Sequence, residues 1–364
     1  MKIKAAVVRE KGGPFRIEEV ELDDPREEEV LVRIAGSGVC HTDLVARDQY
    51  MPVPLPGVFG HEGSGVVEKV GGRVTKVKPG DHVAMSYLSC GLCVSCRKGR
   101  PSHCLDFLPS NFAGVRADGS STMRKNSQPI YGSFFNQSSF ASHALATERN
   151  VVKVPKDVPL ELLGPLGCGL QTGAGGVMNT LRPEVGSSIA VFGAGSVGQS
   201  AILAAVAVGC TTIIAVDVKP ERLRTAQEFG ATHSINSSET DPVTEIWRIT
   251  GHGVEYSLEC TGIPQVFRQA VDALMMGGVC GLIGVAPPGV EAGLVMQTIL
   301  NARTIKGIVE GDSNPDLFIP KLIDLYKLGR FPFDRMMTFY SLDQINQAAE
   351  DSETGKVLKA VVRP

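Results

Sequence analysis

The chain has 364 residues, enough for two domains or one large one with a sizeable core. It is 43% hydrophobic and 21% charged with a formal net charge of −3, which is typical of soluble globular proteins and excludes a broad basic surface for nucleic acid. No apolar run approaches the roughly 20 residues that span a bilayer, and the N-terminus lacks the apolar core of a signal peptide. We therefore expect a cytoplasmic protein that binds neither membrane nor nucleic acid.

Short strand-like runs dominate residues 1–165. Examples are "KAAVVRE", "FRIEEVEL" and "EVLVRIAGSGV", and turns such as Gly-Gly and Pro-Gly-Asp separate such runs. This pattern predicts a compact barrel or sandwich. Residues 105–140 are instead polar and weakly periodic, and we expect them to form a long excursion over the surface.

From about residue 186 predicted strands alternate with predicted helices. The strands are "SSIAVFG", "TTIIAVD", "HSIN", "VEYSLECTG" and "VCGLIGV", and the helices between them include "SVGQSAILAAVAVG", "PERLRTAQEFG" and "PQVFRQAVDALMMGG". Such alternation is typical of a parallel sheet covered by helices. The final run "KVLKAVVRP" reads as a strand that returns to the first domain.

A glycine fingerprint for dinucleotides lies at the first of these strand–helix junctions. Gly193, Gly195 and Gly198 form G-x-G-x-x-G directly after a predicted strand, and Asp217 ends the next strand. The glycines permit a tight turn and close backbone approach, and the helix N-terminus attracts phosphate. Asp217 would accept hydrogen bonds from the adenosine ribose and repel a 2′-phosphate, which favours NAD over NADP. An ordinary glycine turn with a chance acid is the alternative.

Four of the nine cysteines are clustered within one short stretch, "CGLCVSCRKGRPSHC". In the reducing cytosol such thiols are more often metal ligands or core residues than disulfides. Cys90, Cys93, Cys96 and Cys104 have the spacing of a closed tetrahedral Zn²⁺ site, which would be structural because it leaves no open coordination position. An iron–sulfur cluster or unligated thiols are the alternatives.

Three further candidate ligands stand apart in the sequence. Cys40 lies in "GVCHTD", His61 in "FGHEGSG" and Cys168 in "GPLGCGLQTGAG". Two thiolates and one imidazole form a known catalytic zinc set with an open fourth position. Their separation alone does not unite them, because a lone cysteine is usually a small core residue.

The motifs together resemble the zinc-dependent medium-chain alcohol dehydrogenase family over essentially the whole chain. They are "GVCHTD", "GHEGSGVVEKVG", "VKPGDHV", the four-cysteine stretch, "GCGLQTGAG" and "GAGSVG"; "SFFNQSSFA" and "VPLELLGPLGCG" are most similar to aryl (benzyl) alcohol dehydrogenases. The resemblance implies an α/β fold with a GroES-like β-barrel catalytic domain from residues 1–169 and 313–364, including a structural-zinc lobe at about 88–106. A Rossmann domain with a doubly wound parallel sheet would bind NAD with residues 170–312.

The resemblance also implies two zinc ions per subunit and a reaction. Cys40, His61 and Cys168 would hold the catalytic zinc, which assists the reversible oxidation of a hydrophobic, aromatic or allylic primary alcohol to its aldehyde, with hydride transfer to NAD. Glu62 would lie behind this zinc or form a buried salt bridge, and both readings stay open. The resemblance also implies a homo-oligomer and favours a dimer over a tetramer.

Proton transfer is the least determined part of the implied mechanism. Asp43 would orient His61, and Thr42 would take the alcohol proton. Well-known relatives continue the relay with a histidine where this chain has Val45, so the terminal base stays open. His41 would contact the cofactor pyrophosphate and could also serve as the proton exit; direct exchange with water is a further alternative.

Three further cofactor contacts are implied by the resemblance. Thr172 would pack against the nicotinamide, Arg222 would contact the adenosine ribose, and Lys359 would contact the pyrophosphate. For Arg222 and Lys359 a solvated surface charge is the alternative.

Two other functions compete with this reading. Glutathione-dependent formaldehyde dehydrogenases share "CHTD", but Gln49 and Met51 stand where their acidic residues are expected. A non-catalytic zinc-binding protein of the same fold would be expected to lose Cys40, His61 or Cys168, and all three are present.

Overall fold

The computed structural model describes residues 1–364, which form eighteen strands and eleven α-helices. The strands, in chain order, are β1 (Lys2–Val8), β2 (Arg16–Leu22), β3 (Glu29–Gly38), β4 (Gly57–Val58), β5 (Gly63–Val70), β6 (His82–Met85), β7 (Met123–Lys125), β8 (Gln128–Ile130), β9 (His143–Thr147), β10 (Val151–Val154), β11 (Ser188–Phe192), β12 (Thr212–Asp217), β13 (His233–Asn236), β14 (Val254–Glu259), β15 (Leu274–Leu282), β16 (Thr304–Gly307), β17 (Met337–Ser341) and β18 (Lys359–Arg363). The helices are α1 (His41–Arg47), α2 (Val94–Arg97), α3 (Phe107–Phe112), α4 (Gly169–Gly175), α5 (Ser196–Val208), α6 (Pro220–Glu228), α7 (Pro242–Thr250), α8 (Pro264–Asp272), α9 (Met296–Leu300), α10 (Pro315–Lys327) and α11 (Ile345–Glu353). None of the helices is both long enough and apolar enough to cross a membrane.

The chain divides into two units. The first consists of Met1–Cys168, Asn314–Lys321 and Asp334–Pro364, and the second of Gly169–Ser313 and Leu322–Phe333. The second unit therefore also takes in Leu322–Phe333, a segment that the family resemblance assigns to the first domain.

One antiparallel sheet and one mixed sheet build the first unit. Five strands pair in the order β4-β1-β2-β7-β8, and the other sheet runs β10-β6-β5-β3-β18-β17 with β9 also paired to β3. The last strand, β18, is antiparallel to β3 through Val361 and Val362, so the C-terminus returns to the N-terminal barrel as the sequence predicted. Buried apolar side chains form one cluster with residues of both sheets and a second cluster built mainly from the strands of the second sheet.

A single six-stranded parallel sheet forms the centre of the second unit. Its order is β13-β12-β11-β14-β15-β16, which is the Rossmann arrangement of two mononucleotide-binding halves. The apolar stretch after the glycine turn forms α5, most of which is buried, as its composition predicted. The predicted fold class, a GroES-like barrel with a Rossmann domain, is confirmed by this topology.

The prediction of a surface excursion over residues 105–140 is wrong for much of that segment. It contains α3, β7 and β8, and it buries Met123, Ile130, Phe134 and Phe135 in the largest apolar cluster of the first unit. The polar composition concealed this because the few apolar residues follow no helical or strand period. Met123 and Ile130 reach the core from two three-residue strands, and Phe134 and Phe135 reach it from a 3-10 turn.

The predicted helix "PQVFRQAVDALMMGG" is too long at its C-terminal end. The helix α8 ends at Asp272, and β15 begins at Leu274. Gly277 has φ of 80°, a left-handed conformation that a helix cannot continue, and the pairing with β14 is irregular near Val254. Gly277 and Gly278 therefore lie in the first part of β15, where its pairing with β14 is irregular.

Candidate metal centre and dinucleotide site

Cys40, His61, Glu62 and Cys168 converge in the first unit. One ligand atom from each lies within 4.8 Å of those of the other three. Cys40 is the N-cap of α1, His61 and Glu62 lie in the loop before β5, and Cys168 follows a 3-10 turn. Three distant chain segments therefore bring two thiols, an imidazole and a carboxylate to one point.

Asp43 ties two of these residues together. Its Oδ1 accepts hydrogen bonds from His61 Nδ1 at 2.8 Å and from Gly60 N at 3.0 Å, while its Oδ2 accepts one from Cys40 N at 3.0 Å. The carboxylate has no solvent exposure. Because Nδ1 faces a carboxylate, Nδ1 carries a ring proton and Nε2 is the ring nitrogen left for another partner.

The other ring nitrogen of His61 is an orphaned polar atom. His61 Nε2 is buried and has no hydrogen-bond partner in the protein. The ring is fixed by aromatic neighbours, since Phe135 lies 4.5 Å and Phe134 5.6 Å from it between ring centroids. A buried lone pair without a donor costs free energy unless another group satisfies it, and here the nearest candidates are two sulfur atoms.

The charges around this point favour the anionic form of a thiol. Hydrogen bonding from the Cys168 thiol lowers the pKa of Cys40 well below its ordinary value, and His61 adds to this effect against the opposing effect of burial. Burial alone would lower the pKa of His61, but the nearby Asp43 and Cys40 outweigh it and raise that pKa. The site thus stabilises positive charge between its sulfur and nitrogen atoms.

Glu62 is paired with Lys359 rather than exposed to solvent. Lys359 Nζ donates to both carboxylate oxygens of Glu62, at 3.0 and 2.9 Å, and to Val39 O at 3.3 Å. Burial raises the pKa of Glu62, which Lys359 opposes, while Glu62 raises the pKa of Lys359 above its ordinary value despite burial. Gly38 permits the close packing, because a Cβ there would lie 2.0 Å from Glu62 Oε2.

This arrangement excludes one of the two readings of Lys359. The resemblance implied a pyrophosphate contact, with a solvated charge as the alternative, and the side chain is only 2% exposed with three acceptors for its ammonium group, so it is not a solvated charge. An ammonium group has three donors. Lys359 therefore serves in the structure as the counter-charge of Glu62.

The donor set fits a zinc ion. Two sulfur atoms and one unprotonated imidazole nitrogen match the ligand types of catalytic zinc sites, and the orphaned His61 Nε2 is the atom that such an ion would satisfy. Glu62 lies within the same 4.8 Å and is neutralised by Lys359. The residues present therefore agree with the chemistry of the implied metal.

A second group of four thiols lies in the loop segment around α2. The sulfur atoms of Cys90, Cys93, Cys96 and Cys104 all lie within 4.8 Å of one another. Two backbone amides point at sulfur, Cys90 N at Cys104 Sγ (3.2 Å) and Cys93 N at Cys90 Sγ (3.4 Å). Amides of Cys96 and Leu105 lower the pKa of Cys93 to about 6, whereas burial raises the pKa of Cys104 to about 12.

This lobe has almost no apolar core of its own. Leu92, Val94 and Leu105 are 71%, 55% and 71% exposed, so the lobe buries few apolar side chains. A segment that cannot bury apolar surface needs another source of stability. Four converging thiols fit a tetrahedral zinc ion in that role.

The predicted proton-transfer residues lie at the start of α1. Thr42 Oγ1 is 3.8 Å from Cys40 Sγ. The preceding residue, His41, is exposed to solvent. Val45 lies one turn further along the same helix and is partly buried. The helix thus carries a hydroxyl beside the candidate ligand and an imidazole in contact with solvent.

The glycine fingerprint forms the predicted turn between β11 and α5. Gly193 has φ of 91°, and a Cβ on Gly198 would lie 1.9 Å from Gly193 O. Both positions therefore require glycine. Asp217 ends β12 and accepts hydrogen bonds from Ala194 N at 2.7 Å and Lys219 N at 2.9 Å.

Arg222 and Thr172 complete the predicted cofactor residues in the second unit. Arg222 Nη1 lies 3.6 Å from Asp217 Oδ2, and its side chain is 23% exposed. Thr172 lies on α4 and is 9% exposed. Arg222 is therefore neither a fully solvated surface charge nor a buried one.

Sequence reasoning missed Gln137, which supports the metal ligands from behind. Its Oε1 accepts from Gly63 N at 3.0 Å, and its Nε2 donates to His61 O at 2.9 Å and Ser86 O at 3.3 Å. The residue is fully buried between segments far apart in the chain. A lone glutamine inside a polar stretch carries no local signal of such a role.

Two family models match the chain. A model described as an alcohol dehydrogenase GroES-like domain matches residues 26–156, and one described as a zinc-binding dehydrogenase matches residues 196–327. Among curated proteins, geraniol dehydrogenase of Castellaniella defragrans is 47% identical over 362 residues, covering 99% of this chain and 97% of the relative.

Solved structures show the same likeness at the level of the fold. An alcohol dehydrogenase zinc-binding domain protein from Burkholderia ambifaria is 54% identical with a TM-score of 0.98, covering 100% of this chain and 99% of its own. Benzyl alcohol dehydrogenase from Acinetobacter calcoaceticus is 47% identical with a TM-score of 0.97, with the same coverage. Both likenesses extend over the candidate metal residues and the glycine turn.

Proposed function

The chain belongs to the zinc-type medium-chain alcohol dehydrogenase family, and from this premise we propose that it oxidises a primary allylic or benzylic alcohol reversibly to the aldehyde with NAD as hydride acceptor. The observation that carries the proposal is the unpartnered Nε2 of buried His61 beside the thiols of Cys40 and Cys168. This nitrogen lies within 4.8 Å of both sulfur atoms, and an ion bound there would satisfy it.

A zinc ion held by Cys40, His61 and Cys168 supplies Lewis acidity toward the alcohol oxygen. The protein's own contribution is to prepare the ligands. Asp43 holds a ring proton on Nδ1 of His61, so Nε2 is the nitrogen that would coordinate the ion. Two thiolates would balance the charge of a divalent ion. Lys359 neutralises Glu62, so Glu62 adds no further net negative charge to the site.

The hydroxyl of Thr42 is the group proposed to take the alcohol proton. It lies next to Cys40 on the first turn of α1. Val45 offers no titratable group to continue the transfer, whereas His41 is exposed and adjacent to Thr42. We therefore assign the final proton exchange with water to His41, in addition to any pyrophosphate contact.

NAD rather than NADP is the proposed hydride acceptor because β12 ends at an acidic residue, Asp217. Asp217 offers a carboxylate beside the glycine turn, where a 2′-phosphate would meet a negative charge. Gly193 and Gly198 allow the backbone and the α5 N-terminus to approach a pyrophosphate. Arg222 is proposed to contact the adenosine ribose and Thr172 the nicotinamide.

The substrate class rests on the relatives. The names of two proteins at 47% identity refer to geraniol, an allylic alcohol, and to benzyl alcohol. In both compounds the carbinol carbon is next to a π system. This shared chemistry supports a hydrophobic primary alcohol activated by an adjacent double bond or ring.

A second zinc ion is proposed for the four-cysteine lobe, where it would stabilise the fold and take no part in chemistry.

A homodimer is proposed as the assembly. The edge strand β16 has pairing on one side only, and Met296 and Leu300 beside it are 88% and 76% exposed. An unprotected edge with exposed apolar residues is typical of a subunit contact.

One assay tests the proposal. The purified protein is analysed for zinc and then supplied with NAD and, in parallel, benzyl alcohol, geraniol, ethanol and hydroxymethyl-glutathione. We expect two zinc ions per chain and kcat/KM values for benzyl alcohol and geraniol well above those for the other two. Comparable turnover of all four, or undiminished oxidation by a Cys40→Ser variant, would contradict it.

A further inference from the structure

Gln199 is a fully buried polar residue on α5, directly after the last glycine of the fingerprint. Its side-chain amide Nε2 donates two hydrogen bonds, to Ala194 O at 3.0 Å and to Arg222 O at 2.8 Å. Ala194 lies in the glycine turn, and Arg222 lies in the first turn of α6. One side chain therefore links the two segments that flank the end of β12.

These two segments are also linked through Asp217. Its Oδ2 accepts from Ala194 N at 2.7 Å and lies 3.6 Å from Arg222 Nη1. A closed network results, in which Gln199 and Asp217 each contact both Ala194 and Arg222. The Arg222 guanidinium lies beside the turn. A Cβ added at Gly195 would be 4.0 Å from its Nη1.

The orientation of the Gln199 amide is determined by its surroundings. Nε2 faces two carbonyl oxygens, so exchanging the oxygen and nitrogen would bring three acceptors together. In this orientation Oε1 is buried without a hydrogen-bond partner. An unsatisfied acceptor is destabilising, so the residue is poorly suited to a purely stabilising role.

We propose that Gln199 is a positioning residue of the dinucleotide site, which holds Arg222 against the glycine turn and thereby increases the affinity for NADH and NAD. The inference rests on the proposed function in that it takes this turn to bind a dinucleotide. Gln199 itself is buried beneath the turn and acts through Arg222 and Ala194.

Replacement by methionine separates this role from a structural one. Gln199→Met keeps the length and approximate volume of the side chain but removes the amide. Two hydrogen bonds are lost and the unsatisfied Oε1 is removed with the amide, but the carbonyl oxygens of Ala194 and Arg222 also lose their donor. A lower Tm is therefore expected, and in addition α6 and Arg222 lose their tie to the glycine turn.

The test measures NADH binding to the zinc-loaded protein by fluorescence titration, alongside Tm and steady-state kinetics. Gln199→Met is expected to raise the Kd for NADH by about three- to tenfold, the effect of losing one or two hydrogen bonds. The KM for NAD should rise similarly, with kcat at saturating NAD unchanged. Gln199→Glu, which turns a carboxylate toward two carbonyl oxygens, is expected to weaken NADH binding further.

Ser257→Ala is the matched control in the same unit. Ser257 is also fully buried and donates a hydrogen bond to a helix carbonyl, Ala270 O, at 2.7 Å, but it does not touch the glycine turn. We expect a lower Tm with an unchanged Kd for NADH. A Gln199→Met protein that binds NADH as the wild type does would overturn the inference alone. A wild-type protein without NADH binding would overturn the proposed function together with it.

Discussion

Asp43 and His61 are joined by a 2.8 Å hydrogen bond between Oδ1 and Nδ1, and neither side chain is exposed to solvent. The same carboxylate also accepts from Cys40 N at 3.0 Å. Asp43 therefore orients one candidate ligand through its ring and another through its backbone. Asp43 therefore contributes to the rigidity of the candidate metal centre, together with the aromatic neighbours of His61 and with Gln137.

Asp43→Asn is expected to weaken zinc binding at the candidate catalytic site about 10- to 100-fold, as is typical when the partner of a ligating histidine is lost. An amide accepts from His61 less well and can select the wrong ring tautomer. Competition with a chromophoric chelator measures the affinity, and kcat/KM for benzyl alcohol should fall in parallel.

Asp81→Asn is the control for this change. Asp81 is a buried carboxylate of the same unit, 5% exposed, that contacts Lys78 N and Lys153. This variant should keep wild-type zinc affinity. Equal zinc affinity in both variants would show that Asp43 does not prepare the ligands.

Cys93→Ser is expected to reduce the zinc content from two ions to one per chain and to lower the Tm. The lobe that carries it exposes Leu92 and Val94 and has little apolar burial to replace the metal. Elemental analysis and thermal unfolding measure the two effects. Cys210→Ser, at a buried cysteine of the second unit outside both thiol groups, should retain both ions.

Lys359→Met leaves the carboxylate of Glu62 buried without its counter-charge. Loss of one partner of a buried ion pair typically lowers the free energy of unfolding by roughly 3–5 kcal/mol. Denaturant unfolding of the zinc-loaded protein should show this loss, and the double variant with Glu62→Gln should recover part of it.

An exposed ion pair provides the comparison for Lys359. Lys2 contacts Glu19 at 2.6 Å, and the two side chains are 71% and 65% exposed. Lys2→Met should therefore change the free energy of unfolding far less than Lys359→Met does. If the two lysine variants were equally stable, burial would not be the source of the Lys359 effect.

His41→Gln tests the end of the proton path. If His41 passes the proton to water, kcat should fall and small buffer bases should restore it in proportion to their concentration. If His41 only contacts the pyrophosphate, the KM for NAD should rise without such rescue. We expect the fall in kcat with rescue by buffer bases. A rise in the KM for NAD with kcat unchanged would contradict the assigned proton transfer.

Acid stability should depend on Glu18. Hydrogen bonding from Arg9, with help from Lys125 against the effect of burial, lowers the pKa of Glu18 from 4.5 to about 2. A lowered pKa in the folded state means that the stabilisation is present above about pH 4.5 and is lost as the pH falls toward 2. Glu18→Gln should therefore be less stable than wild type at pH 7, with the difference disappearing in that acid range.

Local pattern was sufficient for most of the second unit, apart from the boundary between α8 and β15, and insufficient for parts of the first. The glycine turn, α5 and the acid at the end of β12 follow one another within a short stretch, so their spacing alone predicted the site around Gly193 and Asp217. The buried segment around Phe134 and Phe135 was missed because its apolar residues reach the core through turns. Three residues there, including Phe135 with φ of 48°, are left-handed, which no periodic rule anticipates.

The sequence by itself determined the fold class, the family and the identity of the candidate ligands, because these depend on residue types and their order along the chain. Only the tertiary structure brought Cys40, His61 and Cys168 within 4.8 Å, left His61 Nε2 without a partner, and paired Lys359 with Glu62 across 297 residues. Such relationships follow from burial and from the pairing of strands remote in the chain. A buried charge or an unsatisfied nitrogen exists only once the protein has excluded water around it.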